Sequence, residues 1–140
     1  MSSTYTVEQL NERKLTFIRM LGGEVIDLNV EKQSCTFEFD VSTDFCHSVD
    51  VVQGGFVTAM LDATMSHAAF GLDSSIINVA TLEIKVSFLE PSRAGKFRCT
   101  GFIRKMGRST AFMEAELYNG EGQLTATATT TAKLVRGNYN

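Results

Sequence analysis

Proline is nearly absent from this chain: Pro91 is the only one among 140 residues. It follows a strongly alternating segment, where a residue without an N–H ends a strand or makes a bulge. Cysteine is scarce and odd in number, at positions 35, 46 and 99, with neither a C-x-x-C nor a C-x-x-H spacing. That excludes a disulfide framework and a cysteine-ligated zinc site, and leaves the three as small buried or half-buried apolar residues. The two histidines, His47 and His67, are too few for a metal centre, and His67 is expected to pack or to face solvent near a helix end. Neither charge sign dominates: 13 Lys plus Arg against 16 Asp plus Glu leave a formal charge of −3. No global field therefore holds nucleic acid or an anionic membrane, and any anion is recognised locally. Apolar residues make up 44% of the chain without an uninterrupted run of about twenty. With a polar N-terminal segment, this predicts neither a spanning helix nor a secretory signal, and a cytoplasmic location.

What is present organises into one expected domain over 1–140, since the length suits one hydrophobic core and neither repeat nor linker interrupts it. Val7, Leu10, Phe17, Ile18 and Leu21 recur at helical spacing, Thr6 with Gln9 forms a capping box, and Gly22-Gly23 stops the run. An amphipathic N-terminal helix reaching residue 21 is expected. Glu24 to Val30 alternates weakly and Ser34 to Val41 alternates well through Cys35, Phe37, Phe39 and Val41, predicting a hairpin with its turn near Glu31-Lys32. Thr43 to Gln53 has no period and reads as a partly buried loop. After Gly54-Gly55, Phe56 to Phe70 is apolar on nearly every face, a rod of about 22 Å at about 1.5 Å per residue that must be covered on all sides. Four two-residue-period segments follow, Asn78 to Leu89, Gly95 to Lys105, Thr110 to Tyr118 and Gln123 to Val135, with short glycine-bearing connections that predict a meander of hairpins. A frayed tail is expected over 136–140. The arrangement is α+β: a curved antiparallel sheet wrapped around a long central helix. The outer sheet face then needs a partner, which predicts a dimer or a dimer of dimers.

The central rod carries one ionisable group between Gly54 and Ser66, namely Asp62. A bare carboxylate there is costly, so it lies on an exposed stripe, is satisfied by a structural hydrogen bond, or serves as a general base or nucleophile. Ser66 at i+4 and Thr58 at i−4 share its helix face and place hydroxyls near a water that it would use. Gly54 and Gly55 make a tight turn into the helix, and free N–H groups at that terminus can also approach an oxygen gaining negative charge. Asp62 lies roughly 10 Å further along the rod at about 1.5 Å per residue. One carbonyl does not easily reach both in one subunit, and a site shared across a two-fold axis removes the difficulty. His47 and Gln53 flank the entering loop; His47 either orients water or a carbonyl, or serves the loop structurally. Phe56, Met60, Met65 and Phe70 are candidates to line an apolar pocket, although such side chains also build cores.

Together these residues resemble the hotdog-fold thioesterases, in particular the phenylacetyl-CoA thioesterase-like, or PaaI-type, acyl-CoA thioesterases, over roughly residues 20–135. The most specific match is Val52-Gln53-Gly54-Gly55-Phe56-Val57-Thr58-Ala59-Met60-Leu61-Asp62, similar to the family's His-Gly-Gly pattern followed by Asp. Thr81 to Pro91 is similar to the strand bordering the family's active site, and Gly107 to Phe112 to a turn between its last long strands. The resemblance implies that the Gly55 N–H polarises the thioester carbonyl while Asp62 of the partner subunit attacks or activates water, with Thr81 positioning that water. His47 falls where the family usually has Asn, and Gln53 where it usually has His; both keep hydrogen-bonding capacity. Arg93, Lys105 and Arg108 are candidates for the CoA nucleotide, or are solvated loop charges.

The leading expectation is therefore hydrolysis of an acyl-CoA to a carboxylic acid and free CoA, with catalytic Asp62, Gly55, His47 and Thr81 and substrate-binding Gln53, Gly54, Ser66, Arg93, Lys105 and Arg108. No metal or redox cofactor is expected; CoA enters as part of the substrate. A hotdog hydratase or dehydratase pairing His47 with Asp62 is the alternative enzyme, without the proline-rich loop of the dehydratases. A non-catalytic acyl-CoA-binding module is the alternative outside enzymes.

Overall fold

The N-terminal segment is helical, but not as one helix. In the computed structural model, which describes residues 3–137, α1 spans Val7–Glu12 and α2 spans Thr16–Met20. The expected capping box opens α1, with the Gln9 N–H donating to Thr6 Oγ1 at 3.1 Å and the Thr6 N–H donating to Gln9 Oε1 at 2.9 Å. The break corrects the expectation of a continuous helix to residue 21. An unbroken stripe needs apolar residues three or four positions after Leu10, and those positions hold Arg13 and Lys14. Leu15 is extended (φ −74°, ψ 155°), which re-aims α2 so that Leu10 and Ile18 are both fully buried. Asn11 ties the break to the sheet, accepting from the Val25 N–H at 2.8 Å and donating to the Val25 carbonyl at 2.9 Å.

Strands β1 (Glu24–Asn29) and β2 (Ser34–Val41) form the expected hairpin, with Val25 opposite Phe37 and Leu28 opposite Cys35. The loop leads through a short 3₁₀ turn, Thr43–Phe45, to α3, Gly54–Leu72. Val57, Met60, Leu61, Thr64, Met65, Ala68 and Ala69 are buried along this helix. Then come β3 (Ile76–Phe88), β4 (Gly95–Met106), β5 (Thr110–Asn119) and β6 (Leu124–Arg136). All six strands make one antiparallel sheet around α3, in the order β1-β2-β4-β5-β6-β3. At Gly101 of β4, an added Cβ would lie 2.9 Å from the Thr64 carbonyl oxygen, so sheet and helix backbones meet with no room for a side chain.

The sheet order corrects the expected meander. Strands β4, β5 and β6 follow one another, but β3 pairs with β6 and β4 pairs with β2. The Leu89 and Glu90 N–H groups both donate to the Thr125 carbonyl, holding the end of β3 against β6. Pro91 has no N–H to continue that ladder. Beyond it the chain pairs with the loop before α3, where the Val52 N–H donates to the Ser92 carbonyl at 2.8 Å and the Ala94 N–H to the Asp50 carbonyl at 2.7 Å. Crossing there lets the sheet cover α3 from both sides. The predicted frayed tail is only partly tested: Arg136 is well held, its Nη1 lying 2.7 Å from Asp73 Oδ2 and its Nη2 donating to the Gly107 carbonyl at 2.9 Å, while residues 138–140 lie outside the described residues.

The outer face of β2, β4 and β5 is charged. Arg98 pairs with Glu38 at 3.0 Å, Arg104 with Glu114 at 2.8 Å and Lys96 with Asp40 at 3.7 Å. That face is compatible with solvent. Exposed apolar side chains gather instead on β3, the edge strand, at Ile77, Leu82 and Phe88, with Leu89 just beyond.

Candidate active site

Asp62 projects from the middle of α3 and is half-buried. Its Oδ1 accepts the Thr81 hydroxyl from β3 at 2.8 Å. The two residues singled out separately in the sequence are thus brought together in one chain, and Asp62 has both properties of the structural alternative, partial exposure and a hydrogen bond. Among the described residues Oδ2 has no partner, which leaves it for a water or substrate. Beside it opens a cleft of about 480 Å³, within the usual size range of small-molecule sites. Its floor is one stripe of α3, Ala59, Asp62, Ala63, Ser66, His67 and Phe70. Leu15 and Phe17 of the N-terminal helices wall one side, and Ile76 to Val79 the other. The Thr58 hydroxyl donates to the Gly54 carbonyl at 2.8 Å, and Thr58 does not line the Asp62 cleft.

The N-terminus of α3 is capped by the residue before it. Gln53 is the N-cap, and its Oε1 accepts from the Gly55 N–H at 2.7 Å. A glutamine reaching forward in this way satisfies an orphan donor of the first turn. The N–H of Gly55 is therefore occupied in this conformation. That of Gly54, the preceding residue, has no acceptor among the described residues. Gly54 lines a second cavity of about 420 Å³ with His47, Val57, Phe88 and Pro91. Gln53 and Gly55 line a third, apolar cavity of about 420 Å³ with Phe17, Met20, Phe45 and Phe56.

The named residues thus fall into groups. His47 and Gly54 share one cavity, Gln53 and Gly55 another, and Asp62 with Ser66 a third. His47 is exposed, its ring Nδ1 3.1 Å from the Ser48 hydroxyl. Phe70 and Phe56 do line cavities, but Met60 and Met65 are fully buried core and line none of these three. The basic residues are not brought together. Arg93 pairs with Asp50 at 2.7 Å just before β4, whereas Lys105 and Arg108 lie at its other end. Along a strand rising about 3.3 Å per residue, that is roughly 40 Å. Cys35 and Cys99 are buried thiols whose pKa is pushed up by burial to about 12, which removes them as nucleophiles.

His67 was expected only to pack or to face solvent, yet it lines the Asp62 cleft while buried. Burial holds its pKa down to about 4, against a weaker opposing effect of its bond to the Ala63 carbonyl. No periodicity marked it, since a histidine on an apolar helix has the same pattern whether it faces core or cavity. The cleft's walls from α2 and β3 were equally hidden, because they depend on the break at residues 13–15 and on β3 lying beside β6.

The sequence pattern of the Thioesterase superfamily matches residues 50–126. This chain belongs to that family. The matched stretch of this thioesterase-superfamily chain includes Gln53 to Asp62, Thr81 and all three basic candidates, with His47 outside it. A protein of Saccharolobus solfataricus named as a "putative esterase" is 28% identical over 122 residues, 87% of this chain and 85% of that protein. A phenylacetic acid degradation-related protein of Ralstonia eutropha, described as a "putative thioesterase", has 28% identity. Its structure superposes with a TM-score of 0.82, covering 90% of this chain and 96% of that one. The PaaI protein of the E. coli phenylacetic acid degradation operon superposes at 0.80 with 17% identity, over 95% and 93% of the two chains. At that identity it bears on the fold alone, which is the hotdog fold.

Proposed function

We propose that this chain is a hydrolase that cleaves acyl-CoA thioesters to a carboxylic acid and free CoA, in a homodimer whose active sites are completed across a two-fold axis. One observation carries the reading: the carboxylate of Asp62 and the partnerless N–H of Gly54 lie on one helix but open into different cavities. Hydrolysis needs both at one carbonyl, and a second copy supplies the missing half. The edge strand β3 suits the contact. It is 13 residues long, holds Asp62 through Thr81, and exposes Leu82 at 65% where the register shifts between Thr81 and Glu83.

In this reading, N–H groups at the start of α3 receive the negative charge that develops on the thioester oxygen. Gly54 donates directly, and Gly55 joins when the Gln53 amide swings aside. Asp62 of the partner subunit, held by its threonine, acts through its open oxygen as base or nucleophile. As base, it takes a proton while the water oxygen bonds to the carbonyl carbon; the C–S bond then breaks and CoA thiolate leaves. A thiolate leaves readily, so no metal or redox group enters any step. Ser66 and the apolar cleft wall take the acyl group. Arg93, at the Gly54 end, is the basic residue placed to meet the nucleotide; Lys105 and Arg108 serve it only from another subunit. His47 lines the same cavity as Gly54 and is a polar side chain available to the carbonyl there.

Thiol release from short, medium and aromatic acyl-CoAs tests the proposal, comparing wild type with Asp62→Asn. Wild type should release thiol, and the variant should lose at least about a hundredfold, some 2.7 kcal/mol of transition-state stabilisation. No release by wild type from any member of the panel would reject the hydrolase reading; equal activity would remove Asp62 from it.

A further inference from the structure

We propose that Ser92 and Thr125 are positioning residues: their buried hydroxyl link fixes the β3-to-β4 crossing on the sheet and, through it, sets where the Gly54 N–H stands at the start of α3. The proposal rests on the hydrolase reading above and adds two residues that act through Gly54.

The link is directional and shielded from water. Ser92 is 5% exposed and Thr125 is fully buried. The Ser92 hydroxyl donates to Thr125 Oγ1 at 2.9 Å, and a longer contact of 3.4 Å carries the Thr125 hydroxyl on to the Leu117 carbonyl. A carbonyl only accepts, so the threonine proton is directed to Leu117 and its oxygen is left to receive the serine. Neither hydroxyl has water to turn to, which holds such a chain more firmly than the same groups at a surface. Among the described residues it is the one side-chain hydrogen bond between the crossing, residues 89–94, and the sheet.

The crossing passes that restraint to the helix. The Ser92 carbonyl accepts the Val52 N–H at 2.8 Å, and Val52, itself buried, stands just before Gln53 and Gly54. Val51 and Arg93 form an isolated antiparallel bridge, and the Ala94 N–H donates to the Asp50 carbonyl at 2.7 Å. Loop and crossing are thus laced into one unit. The Arg93–Asp50 ion pair adds little to it, since both side chains are well exposed. The gap between loop and crossing is the cavity that Gly54 lines, with His47, Val51 and Val52 on one side and Phe88 to Ser92 on the other. Before Pro91, the Leu89 and Glu90 N–H groups hold the crossing to the Thr125 carbonyl. After Pro91, which has no N–H to continue that ladder, the Ser92 hydroxyl takes over the attachment to the same residue. Without it the laced unit is free to pivot at Pro91 against β6, carrying the entry of α3 with it. An oxyanion donor works when it is aimed at the place the oxygen will occupy, and a misplacement of about 1 Å can cost about a hundredfold in rate.

The test measures kcat and KM for Ser92→Ala, Thr125→Val, the double variant and Thr125→Ser, on an acyl-CoA that wild type hydrolyses and well below each unfolding midpoint. Alanine at 92 strands no donor, because the Thr125 hydroxyl still has the Leu117 carbonyl; valine at 125 keeps the shape of threonine. Each single variant should lose about 10-fold or more in kcat, with KM within about threefold of wild type. The double variant should lose no more than the worse single one, because both break the same link. Thr125→Ser keeps the hydroxyl and should stay within about threefold of wild type. Wild-type kcat in Ser92→Ala or Thr125→Val, even with a lowered midpoint, would overturn the proposal. So would single losses that multiply in the double variant, or a Thr125→Ser loss as large as that of Thr125→Val. Should Thr125→Val not fold, Ser92→Ala and Thr125→Ser decide on the same criteria. Failure of the hydrolase reading is separate: wild type then releases no thiol, and amide exchange in the full chain decides. The Val52 N–H should exchange about 10-fold or more faster in Ser92→Ala than in wild type. The Ile103 N–H, bonded to the Gln33 carbonyl at 2.9 Å toward the other end of β4, should keep its rate. An unchanged Val52 rate, or an equal acceleration of both, would reject the role.

Discussion

Gln53 decides which N–H groups of the α3 terminus are available at any moment. With its side chain capping Gly55, the Gly54 N–H alone is unengaged. Gly54 is also the first helical residue, where proline is best tolerated, and Gln53 before it is already extended at φ −62° and ψ 139°. Gly54→Pro should therefore fold normally by circular dichroism yet lose about 10²- to 10³-fold in kcat if its N–H polarises the carbonyl. Retained activity would assign that task to Gly55. A second expectation concerns His67, whose pKa lies near 4 in the folded protein against 6.5 when free. Above about pH 6.5 it is neutral in both states; as pH falls toward 4, the unfolded chain binds a proton that the folded one refuses. Stability should drop by about 3 kcal/mol over that window on this account. Denaturant titrations at pH 7 and 4.5 should show His67→Phe losing less than wild type. At this scale the sequence revealed Asp62 plainly, because a lone carboxylate on an apolar rod stands out from its surroundings. It could not reveal that Gly54 rather than Gly55 is unengaged, since that turns on a single rotamer of Gln53.

Elements were legible where periodicity is local and illegible where the answer depends on a neighbour distant in sequence. Alternation through Phe37 and Phe39 identified a strand because that face meets the core, and alternation from Leu82 to Phe88 identified another although its apolar face is exposed at Leu82 and Phe88 and only half-buried at Ile84 and Val86. The same alternation is silent about which strand lies alongside, so the β3-to-β4 crossing was missed. Its signal was present in Pro91, which interrupts a ladder at the point where a hairpin would have to begin. The helix break was likewise readable at Arg13 and Lys14, where the apolar stripe fails. One element contact offers a direct test. At Gly101 a methyl group would sit within 3.0 Å of the Thr64 carbonyl oxygen and of the Met65 backbone, which α3 cannot yield without moving. Gly101→Ala should cost about 1–3 kcal/mol through overpacking, read as a lower denaturant midpoint with an unchanged slope. An unchanged midpoint would mean that helix and sheet move apart there at little cost.

For the whole molecule, the question is why a chain with a charged outer sheet face should pair at all. The proposed dimer draws on β3, one of the two edge strands, which presents an unpaired outer ladder with Leu82 and Phe88 exposed at 65% and 56%. Long apolar edges invite pairing with another chain. Pairing two copies there would also seat a partner next to Asp62, linking assembly to catalysis. Leu82→Arg should then shift the protein to monomer in analytical ultracentrifugation and remove activity together with the dimer; an active monomer would break that link. Complementation tests the shared site more sharply. Asp62→Asn and Gly54→Pro each spoil both sites of their own dimer. In a mixed dimer, the helix terminus of the first meets the carboxylate of the second, restoring one intact site. Random exchange makes half the dimers mixed, so co-refolding equal amounts should recover about a quarter of wild-type activity from two inactive parents. Recovery of none would place both groups of each site within a single chain.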